Sequence, residues 1–124
     1  MPLEGFKPHE KIMPGHLAEL MAQIKKDGFI SEPIIADRAT MVILDGHHRF
    51  NILKTLGLNL CPVCLVDYKN NAEITVGCWR PGEKITKGQV LAAGLSGKLL
   101  EPKTSHHSIP ERPKDLNIPL FGLR

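Results

Sequence analysis

Aromatic side chains are scarce in this chain of 124 residues: one Trp, one Tyr and four Phe. Single positions such as Tyr68 and Trp79 therefore stand out. Long apolar runs are also missing. No stretch approaches the roughly 18 apolar residues that a membrane-spanning helix needs. The N-terminus, "MPLEGFKPHEK", has no apolar core of the kind a secretory leader carries. We expect a cytoplasmic protein with no membrane partner. Charge of one sign is lacking too, with 16 basic against 13 acidic residues and a net charge of +3. The Lys and Arg residues are scattered among acids, so no basic arm or stripe announces nucleic acid. The mild positive balance suits a small anionic ligand. Three cysteines, an odd number, argue against a disulfide framework. "CPVC" sits in "LCPVCLVDY", which reads as a strand, and alternation there sends Cys61 and Cys64 to opposite faces. That is poor geometry for a shared zinc ion, and we read these thiols as structural.

What is present is the composition of an ordinary globular domain, 42% apolar and 23% charged, in a length that fits one domain. Residues 1–14 carry four turn-forming positions (Pro2, Gly5, Pro8, Pro14) and read as a short strand or loop. Leu17, Leu20, Met21 and Ile24 recur at helical spacing between His16 and Asp27, with Gly28 placed to end the helix. "EPIIAD" and "MVILD" read as strands joined by a turn at "DRAT", the second buried on both faces. Phe50, Leu53 and Leu56 predict a second helix over 50–56, stopping at Gly57. "LCPVCLVDY" and "AEITVGCW" are two further strands, and a third helix begins near Thr86. Residues 101–124 hold many prolines and read as an extended tail wrapped over the domain. The fold class is α/β, with a mixed sheet flanked by about three helices.

Between the strand "MVILD" and the second helix lies "DGHHR", residues 45–49. The first turn of a helix leaves backbone N–H donors unpaired, and its dipole favours negative charge there. Gly46 permits close approach of a ligand to the backbone. His47, His48 and Arg49 add side-chain donors, and Arg suits bidentate contact with phosphate. Three readings fit the turn. It can be a phosphate site, Asp45 can simply cap the helix, or the histidines can hold a metal. Adjacent histidines lack the i, i+4 spacing a helix uses for a metal pair, and the phosphate reading is preferred. Other signals are weaker on their own. "GLSGKLL" lacks the spacing of a phosphate loop and reads as a helix end. Glu10 in "KPHEK" reads as a loop charge or a catalytic carboxylate. Trp79–Arg80 reads equally as a surface feature or as part of a site. "PKTSHH" (102–107), with its Lys, hydroxyls and histidines, reads on its own more as a solvated loop than as a site.

Taken in order, "PHEK", a helix, "GFISEPIIAD" and "VILDGHHR" resemble the ParB/sulfiredoxin-like fold, and within it the free L-serine kinases. The likeness continues through "VDY", "ITVGCWR" and "ITKGQVLAAGLSGKLLEPKTSHH", so it covers nearly the whole chain. "DGHHR" alone points only to the broad superfamily; "PHE", "WR" and "PKT" point to the kinase branch. The resemblance implies phosphoryl transfer from ADP or ATP, with Mg²⁺, to the hydroxyl of free serine, giving O-phosphoserine for cysteine biosynthesis. It implies that Asp45, Gly46, His47, His48 and Arg49 bind the nucleotide phosphates and that Asp45 also meets Mg²⁺. Glu10 is the implied base. Trp79, Lys103, Thr104, His106 and His107 are implied to hold the amino acid. The whole of 1–124 is then one kinase domain, with 101–124 closing over the site. The family's tail motif reads Pro-Lys-Thr-Thr-Arg-His, whereas here Ser105 replaces Thr and His106 replaces Arg, which removes a permanent charge.

Two other roles share the fold. A DNA-partition protein needs a helix-turn-helix after the nucleotide domain, for which this sequence is expected to have no room. A sulfiredoxin-like reductase needs a Cys in the turn, where His47 and His48 stand. A non-catalytic nucleotide-binding regulator remains the alternative to the kinase.

Overall fold

Local signals set where the helices begin and end. In a computed structural model, which describes residues 1–78, 82–101, 105–110, 113 and 116–124, the first helix α1 spans Pro14–Asp27. Pro14 occupies its first turn, where no intrahelical N–H is required. Gly28, at φ 78°, ends it by donating its N–H to Ile24 O, as the spacing predicts. The second helix α2, His47–Thr55, starts three residues earlier than the apolar spacing indicates. Gly46 is the reason: its left-handed backbone (φ 94°) turns the strand directly into the helix, a bend to which periodicity is blind. The third helix α3, Lys87–Ser96, opens on a reciprocal cap in which Thr86 and Gln89 satisfy each other's backbone N–H groups.

The strands are β1 (Phe29–Ile30), β2 (Ile34–Asp37), β3 (Ile43–Asp45), β4 (Val63–Val66), β5 (Thr75–Gly77), β6 (His106–Ser108) and β7 (Ile118–Pro119). They do not form one sheet. A three-stranded mixed sheet has the order β3-β2-β4, with β2 antiparallel to β3 and parallel to β4. Two ribbons accompany it, β5 with β6 and β1 with β7. The strand expected over "AEITVGCW" shrinks to three residues that pair with the tail, because its partner is β6 and not the central sheet.

Alternation along β2 and β3 builds two apolar clusters. Ile34, Ala36 and Ile43 face the first, with Phe50, Ile52 and Leu53 of α2 and Ile24 of α1. Ile35 and Leu44 face the second, with Tyr68, Ile74 and Val90 of α3. Cys61 lies in the first cluster and Cys64 packs against the second, so the two thiols are on opposite faces as expected. The "DRAT" turn is closed by the buried Asp37, whose carboxylate accepts from the N–H and hydroxyl of Thr40 at 3.0 and 2.6 Å. Among the described residues, no helix is long and apolar enough to cross a membrane.

Candidate functional site

β3 delivers the chain to Asp45, Gly46 reverses it, and α2 begins at His47. The first intrahelical bond runs from Phe50 N–H to Gly46 O, so the N–H groups of His47, His48 and Arg49 have no acceptor within the helix. A Cβ at Gly46 would stand 3.3 Å from Ile34 Cα and 3.4 Å from an Arg49 guanidinium nitrogen. The turn is thus a backbone cradle with the Arg49 guanidinium beside it. Asp45 does not cap the helix; its Oδ1 accepts from the N–H of Gly46 at 2.8 Å. Arg49 pairs with Glu32 at 3.4 Å, and its Nε is a buried donor with no hydrogen-bond partner. An unsatisfied buried donor costs free energy that a ligand oxygen can restore.

The two histidines of the turn point to different neighbours. His48 accepts from Met13 N–H at 3.0 Å and meets the ring of His16 edge-on at 4.7 Å. His47 is buried, and its Nε2 accepts from the backbone N–H of His9 at 3.1 Å. Accepting there leaves the ring hydrogen on Nδ1 in the neutral form. Burial first, then the neighbouring His9, His107 and His48, hold His47 well below the ordinary imidazole value. Burial likewise depresses His9, against weaker opposing effects of its Ile43 contact and of Asp45.

Nothing local in the sequence marks His9 as a site residue, although it lies in the "PHE" triplet. It is completely buried and joins three parts of the chain. Its ring stands 4.6 Å from that of His47 and 5.8 Å from that of His107. Its Nδ1 lies 2.6 Å from Ile43 O and its Nε2 lies 2.8 Å from the Ser105 hydroxyl. His107 continues the cluster inward, with Nε2 at 2.9 Å from the hydroxyl of the buried Tyr68. Only three-dimensional contact reveals this set, since His9 is 34 residues from Ile43 and 96 from Ser105.

Glu10 follows directly. Its Oε1 accepts from both the N–H of Ser105 at 2.8 Å and the Ser105 hydroxyl at 3.0 Å. Backbone bonds from Leu100 N–H to His9 O and from Lys11 N–H to Leu100 O bind this segment to the start of the tail. Glu10 also lines a groove of about 1070 Å³ between the N-terminal segment and α2, with Phe50, Asn51 and Lys54 on the opposite wall. Of the residues implied for the amino acid, His107 joins the His9 cluster. His106 lies on the other, exposed face of β6. Trp79, Lys103 and Thr104 lie outside the described residues.

No protein-family model matches the chain. An ATP-dependent L-serine kinase of Staphylothermus marinus is 35% identical over 83 residues, which is 64% of this chain and 32% of that protein. A ParB-like protein of Sulfolobus acidocaldarius is 38% identical over 74 residues, 60% of this chain and 36% of that protein. The chain spans about a third of the length of the curated relatives it matches. A structure described as free serine kinase in complex with AMP superposes with a TM-score of 0.89 at 17% identity, covering 100% of this chain and 92% of that one. The chain therefore has the fold of the free serine kinases and shares sequence with proteins named L-serine kinase and ParB-like protein.

Proposed function

We propose that the protein is a kinase for a small hydroxylated amino acid, free L-serine, using ADP or ATP as donor. One observation carries this reading: the hydrogen bond from His9 N–H to His47 Nε2 ties the segment bearing Glu10 to the anion-binding turn. The segment that bears a carboxylate able to take a hydroxyl proton is thereby tied to a turn whose donors can hold phosphate oxygens. Phosphoryl transfer requires chiefly such positioning and charge neutralisation.

In this reading the phosphates rest on the backbone N–H groups of the turn and on Arg49. Asp45 would hold Mg²⁺ together with those phosphates, which fits an ion that commonly takes one or two carboxylates and completes its shell with phosphate and water. The ion would neutralise charge on the transferring group. Glu10 accepts the proton of the attacking hydroxyl. Trp79, Lys103, Thr104, His106 and His107 would hold the amino acid, and residues 101–124 would close over it and exclude water. The names of the relatives support this reading, as does the AMP bound in the matching structure. A non-catalytic nucleotide-binding regulator is the second reading, favoured by the relative named ParB-like protein.

Incubation with nucleotide, Mg²⁺ and serine, followed by phosphorus NMR, separates the two. O-phosphoserine supports the kinase. Nucleotide binding without phosphoserine supports the regulator.

A further inference from the structure

Ser105 has one hydroxyl hydrogen and two partners that could take it. Glu10 Oε1 lies 3.0 Å from its Oγ, and His9 Nε2 lies 2.8 Å away. On the far side of the His9 ring, Nδ1 faces Ile43 O at 2.6 Å, and a carbonyl can only accept. Nδ1 therefore carries a hydrogen, and in a neutral ring Nε2 is a bare lone pair. With Glu10 ionised and His9 neutral, two acceptors then compete for one hydrogen. One of the two short contacts is left lone pair against lone pair, in a partly buried place where that is costly.

A single added proton removes the conflict. With that proton on Glu10, Oε1–H donates to Ser105 Oγ, and the Ser105 hydrogen donates to His9 Nε2. With it on His9, Nε2–H donates to Ser105 Oγ, and the Ser105 hydrogen donates to Glu10 Oε1. Every contact becomes a hydrogen bond in either case. The groups facing His9 favour the first arrangement. It is packed against His47 of α2 and His107 of β6, and burial opposes a charged ring more strongly than Asp45 of β3 favours one.

We propose that Ser105 is a positioning residue that joins Glu10 and His9 into one proton-holding chain, completed when Glu10 receives the acceptor's proton. The inference rests on Glu10 being the base of the proposed kinase. In the transfer step the acceptor O–H bond breaks and its electron pair forms the new O–P bond. The bond from that phosphorus to the bridging oxygen breaks, and its pair leaves on the nucleotide. The proton ends on Glu10 Oε1, donated to Ser105 Oγ. The backbone N–H of Ser105 holds the same oxygen throughout, so the tail supplies both the grip and the hydroxyl.

The test has two arms. In the first, ring-nitrogen NMR of His9 is followed with pH in the protein alone. The Nε2 signal should step as Glu10 titrates, and the step should vanish in Glu10→Gln and in Ser105→Ala. A His9 signal that follows the same curve in wild type and Glu10→Gln would overturn the chain without any Ser105 variant having to fold. In the second, serine phosphorylation is measured against pH. Ser105→Ala should lower kcat about tenfold, less than loss of the base itself, and move the acid limb of kcat/KM down by about one pH unit. Ser105→Thr should restore both. A lowered kcat with an unmoved limb would reduce Ser105 to a structural part and overturn the proposal. Failure of the kinase reading is seen separately, as absence of phosphoserine in wild type, and leaves the first arm intact.

Discussion

A carboxylate gripped at 2.8 and 3.0 Å by the N–H and hydroxyl of one residue has few orientations left to explore. That preorganisation is what a general base requires, and such a base contributes about 10²–10⁴-fold to rate. Glu10→Gln keeps the size of the side chain and removes the proton acceptor. Its kcat for serine phosphorylation should fall at least about a hundredfold, while calorimetric affinity for nucleotide stays close to wild type. Near-normal turnover would remove Glu10 from the chemistry. Arg49, with a buried Nε that lacks a hydrogen-bond partner, is the complementary residue for the phosphates in the proposed function. Arg49→Ala should weaken binding of ADP and ATP by about 1.5–3 kcal/mol, the range for one charged hydrogen-bond donor. Unchanged affinity in calorimetry would move the phosphates elsewhere.

Elements carry a different kind of constraint, seen where α3 meets Val42, the residue before β3. A Cβ at Gly94 would stand 2.6 and 2.7 Å from the two methyl groups of Val42, so the helix lies against that side chain with no room to spare. Gly94→Ala should therefore lower stability by about 1–3 kcal/mol despite its better helix propensity. The double variant with Val42→Ala should recover part of that loss in urea melts, and strict additivity would show that the contact is not the cause. Elements also explain what could be read in advance. The strand-to-helix turn at 45–49 was legible because every signal for it is local: an apolar strand, a glycine, then polar residues ahead of a helical period. β6 was not, because a three-residue strand carries no period and its pairing joins Ser108 to Thr75 of the expected strand across the chain. His9 was missed for the same reason, since its meaning comes from Ile43, His47 and Ser105 and not from its neighbours in sequence.

At the scale of the whole molecule, the buried imidazoles make stability depend on pH. His9 and His47 are both depressed below 6.5 in the fold, chiefly by burial. Below about pH 6.5 the unfolded chain therefore binds more protons than the folded one, and stability falls as pH falls. The contribution is fully present above that pH and is lost progressively beneath it, by at most about 1.4 kcal/mol per pH unit for each ring. The urea midpoint should drop clearly between pH 7 and pH 5, and a flat midpoint would contradict the buried, neutral state. The clamp at residues 59–61 has a consequence of its own. Cys61 exchanges backbone hydrogen bonds with Met1 at 3.0 and 2.8 Å, while Asn59 and Leu60 both donate to Leu123 O at 3.0 and 2.9 Å. Met1 and Leu123 are thus held by one three-residue stretch, on the same side of the molecule. A short glycine–serine bridge could join Met1 to Arg124 into a closed ring without moving either, and the ring could be reopened at an exposed turn elsewhere. Such a circular form should melt at a higher temperature than the linear one, since closing the loop removes freedom from the unfolded chain alone.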